Sequence, residues 1–462
     1  MPVNISNSQY GEHLEIWQTV RDCIAGQKKI KSKGTKYLPM PSKSGDKKAD
    51  DDRYQDYKLR ALFYNVTQRT LASLTGAGMR KSPEVDLPDS MQYLIDDADN
   101  SGNSLNQLAN SVLHNVAGIG RHGLLVDYPS SEGDLSVEDV ERLGLRPAIK
   151  EYLTETIINW RTDAGKLVLV VLKEAEEVDV DKFTTTSKVR YRVLELVDGV
   201  YEQSIYDEGG TLIESQQPKD HDGATWDVIP FVFAGSMNNS SDVDAAPMYD
   251  LAVVNISHYM DSADYQEGVF LHGQPMLHVD IGTTPANQWK EWNGKGIHVG
   301  ARRAVITQGS GSATLLQAEA NSAAYEAMAH KEKLMVKIGG RLVEEGGANE
   351  TAQAVLADAA TEHSVLSLAV QNVGEAIEQC LVWCAMFDGS NEDQVAFIMN
   401  DDFFDIEPNP QMIAALMGLE DRGHLAQKDI RSYMRKSGLL ENDRTDDEID
   451  SEVSEDAGIN IE

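Results

Sequence analysis

The sequence predicts an α+β protein, and three observations carry that expectation. Between Pro147 and Phe233 the apolar residues alternate with a period of two, in IKEYLTETIINWRT, KLVLVVLKEAEEV, KVRYRVLELVDG and VYEQSIYDEGGTLIES. The turn signals DAG, VDG and DEGG join these runs too closely for crossover helices, so the strands must pair antiparallel. On both sides of this block the period is helical. It is clearest from Glu350 to Phe387, where Val355, Ala359, His363, Leu366, Val370, Val373, Ile377, Cys380 and Cys384 recur at spacings of three and four and form one apolar stripe.

Taken in order, the chain opens with a helix from about Ser8 to Ile24, containing Leu14, Trp17 and Cys23. A basic stretch with Lys28, Lys29, Lys31, Lys33, Lys36, Lys43, Lys47 and Lys48 around YLPMP follows. It reads as a flexible solvated loop, with a phosphate-contacting arm as the functional alternative. DDRYQDYKLRALFYNVTQRTLASLTGAG then reads as one long helix, with an acidic first turn at Asp50 to Asp52 and an end at Gly76 and Gly78.

SLNQLANSVLHNVA places Leu105, Leu108, Val112 and Val116 at helical spacing, and LLVDYP is a short strand stopped by Pro129. Between them GIGRHG, Gly118 to Gly123, has the glycine pattern of a dinucleotide-binding turn. In such a turn a strand precedes and a helix follows, so that the helix N-terminus meets the pyrophosphate. Here the order is reversed. The glycines are expected to form a hinge from helix to sheet, with Gly118 or Gly120 in the left-handed cap conformation.

Pro247 opens MYDLAVVNISHYMDSADYQEGVFLHG, a helix of about 24 residues or roughly 36 Å. An insert with PMLHVDIG, Trp289, Trp292 and IHVGARRAVITQGSGS comes next. A second long helix is expected from about Leu316, interrupted by Gly339 and Gly340, resuming over RLVEE and ending at GGAN. The third, Glu350 to Phe387, would run about 37 residues or roughly 55 Å, a length that needs a scaffold or an assembly to lie against. VAFIMNDDFFDI reads as a strand. PQMIAALMGLEDRGHLAQKDIRSYMRKSGLL gives two short helices about Gly423, and ENDRTDDEIDSEVSEDAGINIE is acidic and expected to be disordered.

The chain has 462 residues, with 41 basic against 75 acidic side chains and a formal charge of -34. This excess works against ordinary nucleic-acid binding, in which cations displace phosphate counterions. No apolar run is long enough to span a bilayer, and MPVNISNSQYGEHLEIW lacks the features of a signal peptide, so synthesis in the cytoplasm is expected. Cys23, Cys380 and Cys384 suit a reducing compartment.

Three constellations invite chemistry. Cys380 and Cys384 lie one helical turn apart, but both sit on the apolar stripe and no second pair completes a ligand set. Asp401, Asp402 and Asp405 of NDDFFD could hold magnesium, yet no phosphate loop or nucleophile accompanies them. His258, His272 and His278 are spread over a helix and a strand without ligand spacing. No active site, metal or cofactor is expected.

The order of parts, a sheet domain, a long helix, a small glycine-rich insert, a second long helix, a short break and a very long helix, resembles the portal proteins of tailed bacteriophages. The stretches YQDYKLRALFYNVTQRTLASLTGAGMRKSPEVDLP, GRHGLLVDYP, GGANETAQA and ALMGLEDRGHLAQKDIRSYMRKSGLL strengthen the resemblance, which covers nearly the full length. It implies a ring, usually of twelve subunits, at one capsid vertex of the virion, assembled in the host cytoplasm, with double-stranded DNA passing through it during packaging and ejection. The implied division is a wing over 1–246, a first stem helix over 247–272, a clip over 273–315, a second stem helix over 316–343, a tunnel loop over 344–350, a return to the wing over 351–408, a crown over 409–440 and an acidic tail over 441–462. The basic stretch Lys28 to Lys48 departs from a minimal portal protein.

The implied partners are further copies of the chain, the large subunit of the terminase, the head-tail adaptor, and the major capsid and scaffolding proteins. ATP-driven work would belong to the terminase, in keeping with the missing phosphate loop. Rival readings are another phage ring, such as an adaptor, and an enzyme acting on nucleotides. In the tunnel loop, Glu344, Glu345, Gly346, Gly347, Ala348, Asn349 and Glu350, the glycines allow positive torsions, Asn349 can cap the next helix, and no cation is present to hold phosphate. In the clip, Arg302 and Arg303 interrupt an acidic chain and are expected to face a partner or a neighbouring subunit.

Overall fold

A computed structural model describes residues 3–41, 45–128, 146–272, 276–280, 285, 287–288, 291, 312–316, 322–341, 365–400, 410–420, 422–436, 439–440 and 444–456. Helix α1 (Ser8–Ile24) has the bounds that the sequence predicts. Asn7 caps it by accepting the Gln9 N–H, and Trp17, Val20 and Cys23 are buried.

The lysine-rich stretch is not a loop in its described part. Helix α2 (Gln27–Ser32) and a 3-10 turn at Gly34–Lys36 order it. Burial of Ile30, Tyr37 and Leu38 holds it down, and three of the lysines have local acceptors. Lys33 lies 3.2 Å from the buried Asp22, Lys36 lies 3.6 Å from Glu15, and Lys31 donates to the Leu59 carbonyl.

The next segment forms two helices rather than one, α3 (Lys47–Arg60) and α4 (Val66–Gly78), capped by Asp46 and Asn65. The break has a tertiary cause. Asn255, fully buried on a later helix, accepts from the Val66 and Thr67 amides at 3.1 and 3.2 Å and from the Thr67 hydroxyl at 3.0 Å, and it donates to the Tyr64 carbonyl at 2.8 Å. One side chain thereby satisfies two of the amides that a helix start leaves open, and Asn65 takes the Gln68 amide.

Strand β1 (Glu84–Asp86) and the short α5 (Tyr93–Asp96) lead to α6 (Leu105–Ile119), which opens with a Ser104–Gln107 capping box and ends at Gly120, whose φ is 90°. GIGRHG is therefore a hinge from helix to sheet, as expected. Strand β2 (Arg121–Asp127) follows directly and is flanked on either side by β3 (Ala148–Leu153) and β9 (Phe231–Gly235), both antiparallel.

A second antiparallel sheet is a meander of β4 (Ile157–Asp163), β5 (Lys166–Asp181), β6 (Thr184–Val197), β7 (Val200–Asp207) and β8 (Leu212–Gln216). Its tight turns match their residues: Ala164 and Gly165 have φ of 48° and 82°, Asp198 and Gly199 have 51° and 83°, as two-residue hairpins require. IKEYLTETIINWRT is not one strand. A 3-10 turn at Thr154–Thr156 splits it between the two sheets, and the Thr154 hydroxyl donates to the Arg121 carbonyl of β2.

Beyond the sheets come α7 (Tyr249–His272), β10 (Met276–Asp280), β11 (Ser312–Leu316), α8 (Ala323–Arg341) and α9 (Val365–Asp388). The second long helix thus starts at Ala323, since Leu316 belongs to a strand, and it runs through Gly339 and Gly340 without interruption. Gly339 serves packing, because a Cβ there would sit 3.3 Å from the Thr70 side chain of α4. In α9 the predicted stripe holds wherever it is described: Leu366, Val370, Val373, Ile377, Cys380 and Cys384 are all buried. Val355, Ala359 and His363 lie outside the described residues.

The strand expected around VAFIM is only β12 (Ala396–Ile398), which pairs with β1 and ties the C-terminal part to the N-terminal part. Asp401, Asp402 and Asp405 lie outside the described residues. Helices α10 (Pro410–Glu420) and α11 (Gln427–Lys436) flank the turn at Gly423, as predicted. The acidic tail departs from its expected disorder by forming α12 (Asp446–Asp456). Thr445 and Glu448 cap its start reciprocally, the Glu448 amide donating to the Thr445 hydroxyl and the Thr445 amide to the Glu448 carboxylate.

Candidate functional site

The most distinctive feature is an arm of two helices and a hairpin between two parts of one core. The first half of α7 is buried through Leu251, Ala252, Ile256, Tyr259 and Ala263. Toward its end, Val269, Phe270 and Leu271 are exposed. Helix α3 braces this transition: the Tyr57 hydroxyl donates to Asp264 at 2.6 Å, Arg60 and Arg53 pair with Glu267, and the Arg60 guanidinium lies 4.2 Å from the centre of the Phe270 ring. Burial, then the bond to Asp264, push the Tyr57 phenol up and keep it a neutral donor.

Helix α8 runs antiparallel to α7. Lys331 reaches Asp261 at 2.5 Å, His258 Nε2 is 3.2 Å from Glu332, and the Tyr265 and Tyr325 rings are 6.0 Å apart. With 24 and 19 residues, the helices span about 36 and 28 Å at 1.5 Å per residue. At their far end β10 pairs with β11, from Met276 opposite Leu316 to Asp280 opposite Ser312. Arg302 and Arg303, with Trp289 and Trp292, fall between these strands and lie outside the described residues. So do Glu344, Glu345, Gly346, Gly347, Ala348, Asn349 and Glu350, between α8 and α9.

Of the other candidates, His258 and the cysteines are accounted for by packing. Among the described residues no group of three or more His, Cys, Asp and Glu is arranged to hold a metal ion. His258 is buried between helices, His272 is exposed at the end of α7, and His278 belongs to β10. Cys23, Cys380 and Cys384 are free and buried. Burial pushes the Cys23 thiol up to about 12, with Asp22 adding to the effect, and raises Cys380 and Cys384 as well. A disulfide reagent at pH 8 should therefore titrate none of the three thiols in native protein and all three in denaturant; a native thiol reacting at the denatured rate would contradict this packing.

Sequence reasoning missed Arg121 of GIGRHG, which is only 2% exposed. Its guanidinium lies 4.1 Å from the Trp160 ring centre and 3.7 Å from that of Phe233, and Nη2 donates to the Ser241 carbonyl at 3.0 Å. Desolvation lowers its pKa to about 9, against the opposing pull of Asp244 and Asp242. An arginine beside apolar strand residues reads as an exposed edge, so no linear signal marks this stacking. His122 next to it bonds Glu151 at 3.0 Å. Arg121 thus joins the sheet to the loop before α7, and the backbone packs closely there, since a Cβ on Gly120 would sit 2.6 Å from the Ala245 carbonyl oxygen.

Residues 247–388, which span this arm and α9, match a family described as "Domain of unknown function (DUF4055)". No curated protein matches the chain. Among solved structures, a chain in the neck of an empty gene transfer agent (GTA) particle computed with C6 symmetry is 15% identical with a TM-score of 0.41, over 80% of this chain and 90% of that one. A chain in the virion of a native GTA particle is 13% identical with a TM-score of 0.41, over 82% and 92%. One in the neck of a native GTA particle computed with C12 symmetry is 14% identical with a TM-score of 0.41, over 80% and 89%. No helix among the described residues is long and apolar enough to cross a membrane.

Proposed function

We propose that this chain is a structural ring subunit of a phage-like particle, in the role of its portal protein, and has no catalytic activity of its own. The observation that supports this most is the arm: α7, the β10–β11 pair and α8 form an antiparallel excursion between two parts of one core, with α9 returning to pack on α6 and β9. In this reading α7 and α8 are the stem, residues 281–311 with Arg302 and Arg303 face the terminase or the adaptor, and residues 344–350 line the bore around double-stranded DNA. An acidic lumen would let DNA slide, because phosphates find few cations to hold them. The particle vertex and virion location follow from the same reading.

Heterologous contacts between identical subunits close into rings when the rotation allows. Purified protein should therefore form closed rings with an axial hole, visible end-on by electron microscopy, with residues 344–350 facing the axis. A monomer mass by light scattering over a wide concentration range, or a ring carrying residues 344–350 on its outer rim, would overturn the proposal. A short ring docked below another would favour the adaptor instead.

A further inference from the structure

The C-terminal helices hold an electrostatic arrangement that goes beyond this reading. In α11, Lys428, Arg431 and Arg435 are spaced by three and four residues, so they share one helix face. On the opposite side Ile430 is buried. This is the pattern of a helix that presents cations to a row of phosphates, in a chain whose formal charge is -34.

Two of these three cations are occupied by the chain's own carboxylates, while Lys428 is exposed beside them. Arg431 pairs with Asp450 and also donates to the Asp446 carbonyl at 3.2 Å. Arg435 pairs with Asp446 and donates to the Arg444 carbonyl at 2.9 Å. Arg444 pairs with Glu452, which braces α12 itself. The bond to Asp450 holds the Arg431 guanidinium more firmly charged, and its counterpart depresses the Asp450 carboxyl. Arg431 and Arg435 each thus meet a carboxylate and a carbonyl oxygen, the kind of oxygen acceptors that a phosphodiester would otherwise supply.

We propose that α12 is an acidic cover over a nucleic-acid-binding face of α11, so that the backbone of duplex DNA engages Arg431 and Arg435, alongside the exposed Lys428, only when the tail is displaced. The cover explains why a helix with this cationic face is compatible with free movement of DNA. It also gives the acidic tail a defined partner within its own chain. Ion pairs whose carboxylates face solvent, as those of Asp450 and Glu452 do, are individually weak and salt-sensitive, so a polyanion at high local concentration can displace them.

Two full-length-derived variants test this: one carrying Asp446→Asn, Asp450→Asn and Glu452→Gln, and one truncated after Thr445. Binding of a short fluorescent DNA duplex is read by anisotropy across a salt series, with light scattering on the same samples so that ring assembly is scored separately. Both variants should bind at least about tenfold more tightly than the parent chain, with a slope of log K against log salt near −2.7 for three neutralised phosphates at ~0.9 each. Adding Arg431→Gln and Arg435→Gln should remove the gain. Parent-like binding by the truncated chain would overturn the cover, and so would a gain that survives loss of the two arginines; either result stands whether or not rings form.

Discussion

Replacing Gly120 with alanine should destabilise the protein by about 2–5 kcal/mol, the sum of a left-handed backbone penalty of roughly 1–2 and an overpacking cost of roughly 1–3 kcal/mol. Both costs arise at one atom. Gly120 has a φ of 90°, and its Cβ would lie 2.6 Å from the carbonyl oxygen of Ala245 and 3.3 Å from that of Asp244. Those obstacles are backbone, so no side-chain rotation relieves them. Relief requires moving the loop that leads into α7, whose Met248 amide bonds to the Gly118 carbonyl. The control is Gly76→Ala on the exposed face of α4, where nothing lies within 4 Å and a gain of about 0.5–1 kcal/mol is expected from helix propensity. Chemical denaturation of both variants checks this; equal midpoints would refute the hinge assignment.

Asn255→Leu should cost on the order of 4 kcal/mol, because it strands several buried polar groups at ~1–3 kcal/mol each while their geometry relaxes only in part. The leucine fills similar space, so the loss is chiefly polar. The Val66 and Thr67 amides, the Thr67 hydroxyl and the Tyr64 carbonyl all lose their partner. Hydrogen exchange gives the local readout: the Val66 and Thr67 amides should exchange far faster in the variant while amides in the middle of α6 remain protected. Unchanged protection at those two amides would show that α4 starts there for reasons of its own. The joint matters beyond stability, since Asn255 ties the start of the arm to the N-terminal helices.

Local rules reach a definite depth in this chain. The bounds of α1, a left-handed cap at Gly118 or Gly120, the short hairpins at DAG and VDG and the stripe on α9 were all readable, because each depends on neighbours within a few residues. Where expectation failed, distant residues decided. The lysine-rich stretch looked like a solvated loop because charge dominates its composition, but Ile30, Tyr37 and Leu38 bury against helices whose positions no local pattern reveals. The break in the second helical segment depends on Asn255, nearly two hundred residues away.

The acidic tail erred in the other direction. Its charge outweighed a signal that was present, the spacing of Thr445 and Glu448 that makes a capping box. The candidate site was legible in outline only. The helix, insert and helix of the arm followed from periodicity, yet the start of α8 moved from Leu316 to Ala323 because a segment as short as SATLL, Ser312 to Leu316, reads equally as strand or helix.

By itself, then, the sequence determined the α+β class, the antiparallel pairing, the long helices and the absence of a recognisable phosphate loop, since these rest on periodicity, short connections and motif order. Only the tertiary structure decided that IKEYLTETIINWRT serves two sheets, that Arg121 lies between Trp160 and Phe233, that α3 and α4 are separate, and that α12 pairs with α11. The physical reason is common to all four. Each depends on a hydrogen bond, ring contact or ion pair between elements, and which partners meet is set by packing of the whole chain rather than by neighbouring residues.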